Sequence, residues 1–228
     1  MSADPVDTED VWLVIPLFNE GTVIGQVVSE ARAMFDHVVC VDDGSTDDSA
    51  AQARRAGAVV VRHPVNLGQG AALQTGFEFA LREPTMRWVV TFDGDGQHQV
   101  ADVVAMLKKA RTENLDVVFG SRFLDERTTP GMLKKTILRL AVAYTNLTTH
   151  TRLTDAHNGL RVLSRGVVSR LEITQNRMAH ASELVTQIGG LGVPYGESPV
   201  HVLYTDYSKA KGQSVWNSIN ILAELIFR

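Results

Sequence analysis

The stretch "VVTFDGDGQH", Val89 to His98, begins as a strand and ends as chemistry. Its valines and phenylalanine suit a strand covered on both faces. The strand stops at Asp93 and Asp95, two carboxylates spaced by Gly94 and followed by Gly96 and Gln97. A glycine-rich loop lets both carboxylates reach one point, where their repulsion needs a cation to offset it. Carboxylate oxygens without cysteine select a hard ion, so Mg2+ or Mn2+ is the expected cofactor, with a bound diphosphate completing its coordination. A solvated Asp-Gly turn is the plain alternative. The position at a strand end, within a series of similar loops, favours the metal.

The same form recurs on either side. "VWLVIP", "HVVCVDD", "AVVVRH", "RWVVTFD" and "LDVVFGS" are short valine-rich runs bounded by turn residues. Between them, Ile24, Val27, Val28, Ala31 and Phe35 recur at helical spacing, as do Val100, Val103, Val104 and Leu107. Alternating strand and helix predicts right-handed βαβ units and an α/β fold with a mostly parallel sheet. "PLFNEG", "DDGSTDDS" and "DGDGQH" each follow a strand and carry carboxylates or amides. Ligands of such sheets sit beyond the carboxyl ends of the strands, so these loops converge on one cleft. Neither G-x-G-x-x-G nor the Walker phosphate loop is present, which argues against a dinucleotide fold or a P-loop enzyme.

After Gly120 the pattern changes. A helix starting near Met132 carries Leu133, Ile137, Leu138 and Leu140 among Lys134, Lys135 and Arg139. Loop, strand and turn follow in "RLTDAHNGLRVLSR", then a helix across Ala179 to Ile188 and a strand across Val193 to Leu203. The end, "GQSVWNSINILAELIFR", predicts an amphipathic helix over 215–228.

Composition narrows the functions. With 228 residues, 44% hydrophobic and 21% charged, the chain is that of an ordinary folded protein, which excludes disorder as its state. Its net charge of -4 does not suit a coat for nucleic acid, so any anionic ligand must be held by local positive charge. The single Cys40 lies in an apolar run and reads as a core residue. The start "MSADPVDTED" is acidic and reads as a flexible lead over 1–10 rather than a secretory signal. No apolar run approaches the roughly 20 residues of a membrane helix.

"VIPLFNE", "VDDGSTDDS", "NLGQGAALQTG", "FDGDGQH" and "GSRF" follow one another in the order and spacing of family 2 glycosyltransferases with a GT-A fold. The chain resembles most the dolichyl-phosphate mannose synthase and polyprenyl-phosphate glycosyltransferase branch. The resemblance implies a catalytic domain over 11–214, with a nucleotide-binding half over 11–121 and an acceptor half over 122–214. It places Pro16, Phe18, Asn19 and Glu20 on the nucleotide, with Glu20 near base or ribose. Asp42 or Asp43, with Gly44 and Ser45, would hold the nucleoside. Asn66, Gly68 and Gly70 would bring backbone to the ligand; Asp93, Gly94 and Asp95 would serve the donor diphosphate. Gln97 would join Asp93 and Asp95 on the metal, and Arg122 would face phosphate. For individual residues structure is a rival to function: Glu20 can cap a helix, and Asp42 or Asp43 can close a turn.

The implied reaction is inverting transfer of a hexose-type sugar from a UDP- or GDP-sugar to a polyprenyl phosphate at the inner face of a membrane. A sugar hydroxyl acceptor needs a base, whereas a phosphate monoester is already largely ionised at neutral pH and needs cations. Asp155 is the candidate base for a hydroxyl, or an organiser of donor, metal or basic residues; His157 is a second possible base. Lys211, Gln213 and Ser214 in "KAKGQS" resemble a loop that closes over phosphate, although no arginine stands there. The amphipathic helices fit peripheral attachment to an anionic membrane, with a separate membrane subunit or self-association as possible partners. Two rival readings are transfer to a glycan hydroxyl and a non-catalytic nucleotide-sugar-binding subunit.

Overall fold

A computed structural model describes residues 6–125, 142, 146, 147, 149, 151–156, 158–176 and 179–203. The helix expected near Met132, His157, the "KAKGQS" loop and the 215–228 helix lie outside the described residues.

The strands are β1 (Val11–Leu17), β2 (His37–Asp42), β3 (Val59–Arg62), β4 (Trp88–Thr91), β5 (Val117–Ser121), β6 (Arg161–Ser164) and β7 (Tyr195–Pro199). They form one sheet in the order β3-β2-β1-β4-β6-β5-β7. All run parallel except β6, which pairs antiparallel with both β4 and β5. The helices are α1 (Ile24–Arg32), α2 (Ser49–Arg55), α3 (Gln69–Leu81), α4 (Val100–Thr112), α5 (Arg165–Val168) and α6 (His180–Leu191).

Side chains alternate across a strand, so β1 feeds two cores. Leu13 and Ile15 join Val27, Val28, Val103 and Met106 under α1, α2 and α4. Trp12 and Val14 join Leu73, Phe77, Leu184 and Ile188 under α3, α5 and α6. Both faces are therefore covered, as the near-continuous apolar strands require. Truncating Phe77 to alanine would cost about 3–5 kcal/mol, because the ring is buried and its cavity would stay empty. Cys40 is buried in the sheet, and burial followed by the nearby Asp42 charge pushes its thiol up to about 12.

Two details differ from the sequence expectation. The turn after β6 is the short helix α5, whose first turn is capped by Ser164 Oγ accepting from Val167 N at 3.3 Å. The strand expected across Val193 to Leu203 is confined to Tyr195–Pro199, since prolines at 194 and 199 lack ladder donors.

Candidate active site

A cleft of about 520 Å³ opens where the parallel strands end. Pro16, Leu17, Phe18 and Glu20 reach it from β1, Asp43 from β2, and Asn66 and Gly68 from the approach to α3. The loop after β4 brings Asp93, Gly94, Asp95, Gln97 and His98, and Arg122 arrives from the end of β5. Asn158, Gly159, Arg161 and His180 complete the far wall.

Asp93 is held in place by the protein. Gln69 Nε2 donates to its Oδ1 at 3.2 Å, and His98 Nε2 lies 2.9 Å from its Oδ2. Gly159 stands so close that a Cβ there would sit 2.3 Å from Asp93 Oδ2, so a side chain at 159 would displace the carboxylate. Burial pushes the Asp93 carboxyl up, but the His98 hydrogen bond and the charges of His98, Arg161 and His180 outweigh it, leaving the group below its ordinary value. Asp95 has the opposite fate. Burial and then the Asp93 charge raise it to about 6, against smaller pulls from His98 and the Gln97 N–H. Its protein contact is the Gln97 backbone N–H at 3.1 Å.

This donor set fits a hard divalent ion. Two cleft-facing carboxylates destabilise each other without a cation, and the buried Gln97 Nε2 has no hydrogen-bond partner among the described residues. Among the described residues no third His, Cys, Asp or Glu closes a cage around the pair. A cation here would keep positions open for ligand oxygens.

The second acidic loop divides its work. Asp43 lines the cleft and accepts from Leu67 N at 2.8 Å and Gly68 N at 2.7 Å. His63 Nδ1 lies 2.8 Å from its Oδ1, and the other ring nitrogen is 2.9 Å from Thr75 Oγ1. Asp42 lies outside the lining. It accepts from Ser45 N at 3.0 Å and pairs in charge with Arg62 at 3.1 Å, closing the turn that Gly44 makes at φ 75°. Asn19 and Ser45 also serve loop geometry: Asn19 N donates to Ser45 Oγ at 2.9 Å, and Asn19 Oδ1 accepts from Thr46 N at 2.9 Å. The Glu20 carbonyl accepts from Val23 N and Ile24 N, so its backbone opens α1 while its side chain lines the cleft.

Gly68 and Gly70 approach protein. A Cβ on Gly68 would lie 2.0 Å from the Asn176 carbonyl oxygen and one on Gly70 2.1 Å from that of Gln175, and Gly70 N donates to Asn176 O at 3.0 Å. The close backbone contact expected for a ligand is made here with the segment before α6, and only Gly68 reaches the cleft.

Arg122 and Asp155 form one unit. Asp155 is 1% exposed, and it accepts from Arg122 N at 3.1 Å, Nε at 2.6 Å and Nη2 at 2.8 Å. Glu197 in turn accepts from Asp155 N at 3.2 Å. A carboxylate engaged on both oxygens by a guanidinium fixes the orientation of that arginine.

Gln69, His98, Asn158, Arg161 and His180 belong to the cleft without a role in the sequence reading. For His98 the signal lay inside the opening stretch, five residues after Asp93, the spacing from which its ring meets that carboxylate.

The family model described as glycosyl transferase family 2 matches residues 12–172. A protein of Methanocaldococcus jannaschii without an assigned activity is 32% identical over 98% of this chain and 93% of its own. The UDP-N-acetylglucosamine–dolichyl-phosphate N-acetylglucosaminyltransferase of Methanococcus voltae is 27% identical over 95% of this chain and 94% of its own. Among solved structures, glucosyl-3-phosphoglycerate synthase of Mycobacterium tuberculosis, in complex with Mn2+, UDP and phosphoglyceric acid, superposes with a TM-score of 0.68. It is 18% identical, with 95% of this chain and 78% of that one covered, which establishes the shared GT-A fold.

Proposed function

The chain belongs to glycosyl transferase family 2, and from that membership we propose that it transfers a sugar, with inversion, from a nucleoside-diphosphate donor to a polyprenyl phosphate at the inner face of a membrane. The observation that carries the acceptor choice is the Arg122–Asp155 pair. The one acidic candidate for a base is already engaged by a cation that lines the cleft. That arrangement suits an acceptor that arrives ionised and needs positive charge. The name of the Methanococcus voltae relative, which specifies dolichyl phosphate, supports the same choice.

In this reading an oxygen of the acceptor phosphate attacks the anomeric carbon, and the bond from that carbon to the donor diphosphate breaks, releasing the nucleoside diphosphate. Asp93, Asp95 and Gln97 would hold Mg2+ or Mn2+, which supplies Lewis-acid stabilisation to the departing diphosphate. His98 and Gln69 keep Asp93 aimed into the cleft; Asp155 keeps Arg122 extended towards phosphate. Asp43 shapes the nucleoside end through the Leu67 and Gly68 amides. Leu203 N donates to the Gln97 carbonyl at 2.9 Å, which ties the segment after β7 to the acidic loop. The sequence continuing from there carries Lys211, Gln213 and Ser214, the proposed further contacts for acceptor phosphate. Among the described residues no helix is long and apolar enough to cross a membrane, and peripheral attachment is part of the proposal.

The test is to incubate the protein with radiolabelled nucleotide sugars, Mn2+ and membrane lipid extract. The expected product is organic-soluble and labile in mild acid. Label confined to a water-soluble glycan would overturn the lipid acceptor, and donor binding with no turnover would overturn catalysis.

A further inference from the structure

Arg161 stands outside the roles assigned above. It is 1% exposed, yet it lines the cleft. Its Nε and Nη2 are enclosed and have no hydrogen-bond partner among the described residues. The nearby carboxylates are engaged elsewhere: Asp93 by Gln69 and His98, Asp155 by Arg122. They act on Arg161 through their charge alone. Burial lowers its guanidinium to about 10, with Asp93 and Asp155 pulling back, so it remains a cation at neutral pH.

A buried cation whose N–H groups meet no acceptor is unfavourable by itself. The fork of a guanidinium matches the oxygens of a phosphate, and among the described residues Arg161 and Arg122 are the two arginines that line the cleft. The fold explains how the residue comes to be there. In the register of β6, Arg161 lies opposite Thr91 at the end of β4 and opposite Phe119 in β5. Because β6 runs antiparallel, its first residue, rather than its last, reaches the ligand end of the sheet.

We propose that Arg161 is a phosphate-binding residue of this cleft, its guanidinium donating to a phosphate oxygen of the bound substrate. The inference rests on the transferase reading above, which supplies two sources of that group, the donor diphosphate and the acceptor phosphate.

The test compares wild type with Arg161→Met by calorimetric titration of Mn2+ with UDP, GDP, CDP and dTDP, and by KM for polyprenyl phosphate in the transfer assay. At least tenfold weaker nucleotide binding, with a melting temperature held within a few degrees, assigns the contact to the donor. Unchanged nucleotide binding with at least a tenfold higher KM for the lipid phosphate assigns it to the acceptor. If neither constant moves, whatever happens to kcat, the proposal is overturned and Arg161 serves only to balance its acidic neighbours. Should Arg161→Met fail to fold, the arginine Nε–H spectrum of 15N-labelled wild type gives the answer, with the Arg161 signal identified by its loss in Arg161→Lys. A shift of that signal on adding the nucleotide with Mn2+, or a short-chain polyprenyl phosphate, supports the contact, and no shift with either overturns it. A wild type that binds no nucleotide and transfers no sugar removes the reading of the whole site and this contact with it. A wild type that does both, matched by Arg161→Met, removes only the arginine.

Discussion

The loop after β2 and the loop after β4 each carry two aspartates, and they hold them in opposite ways. Asp42 and Asp43 are answered by the chain itself: Ser45, Leu67 and Gly68 N–H groups, His63 and Arg62 surround them. Asp93 is aimed by Gln69 and His98 but keeps 31% of its side chain exposed to the cleft. Asp95 is left in a field that opposes its charge. The difference separates carboxylates whose charge the fold answers from one whose charge it opposes. Asp42 and Asp95 each accept one backbone N–H, so the charge around the group, rather than its amide contact or its sequence spacing, marks the difference.

The comparison breaks most visibly at Asp95. Asp95→Ala should lower metal-dependent transfer on the order of 10³-fold while leaving the melting temperature within a few degrees, and chelation of wild type should reproduce the loss. Full activity in both would refute the metal assignment. The next largest effect belongs to Asp43. Asp43→Ala would orphan the Leu67 and Gly68 amides and His63, and urea unfolding should show about 2–4 kcal/mol of lost stability. An unchanged midpoint would mean that Asp43, like Asp95, is held for a ligand.

The pH response sharpens the contrast further. In metal-free protein the Asp95 carboxyl is raised to about 6. The folded state therefore favours the protonated form, and that contribution is complete below the unfolded value near 4 and lost as pH rises through about 6. Relative to wild type, Asp95→Asn should gain about 1–2 kcal/mol of stability between pH 4 and pH 7 in chelator, read from paired urea melts. A gap that stays constant with pH would deny the unfavourable field. The smallest change is expected at Arg62, whose side chain is 54% exposed. Arg62→Ala should cost about 1 kcal/mol: the guanidinium is partly solvated, but the buried Asp42 would keep only the Ser45 N–H.

Strands β1, β2, β4 and β5 are legible in the sequence because they are buried between the two helical layers, which writes them as valine-rich runs; the edge strand β3 shares the valines although Val59 is 48% exposed. Helix α3 is harder to see. Its glycines at 70 and 76 resemble turn signals, yet they are there because Gln175 and the Val14 side chain come too close for a Cβ. The acidic pair after β4 is legible for the same reason that it is chemical: a strand ending in repelling charges needs an explanation. Choosing Asp43 over Asp42 depends on which side chain turns to the cleft, and the two-residue alternation of a strand no longer governs a loop. Arg161 escapes for a different reason. A reading that looks for ligands after strands passes over the first residue of β6, which is brought to the site by running against its neighbours.

The antiparallel β6 also governs the order in which the sheet can be completed during synthesis. No ladder joins β4 to β5; each is zipped to β6, which emerges roughly forty residues after β5 has left the ribosome. At roughly 5–20 residues per second that is a wait of a few seconds. Through it the apolar edge of β4, with Val89 and Val90, has no partner strand. An open edge of that kind invites pairing with other chains. The hazard of aggregation at birth therefore falls on β5, whose neighbours β6 and β7 are both still to come, and on the strand that carries the acidic loop, and for the latter it ends when four residues, Arg161 to Ser164, close the gap.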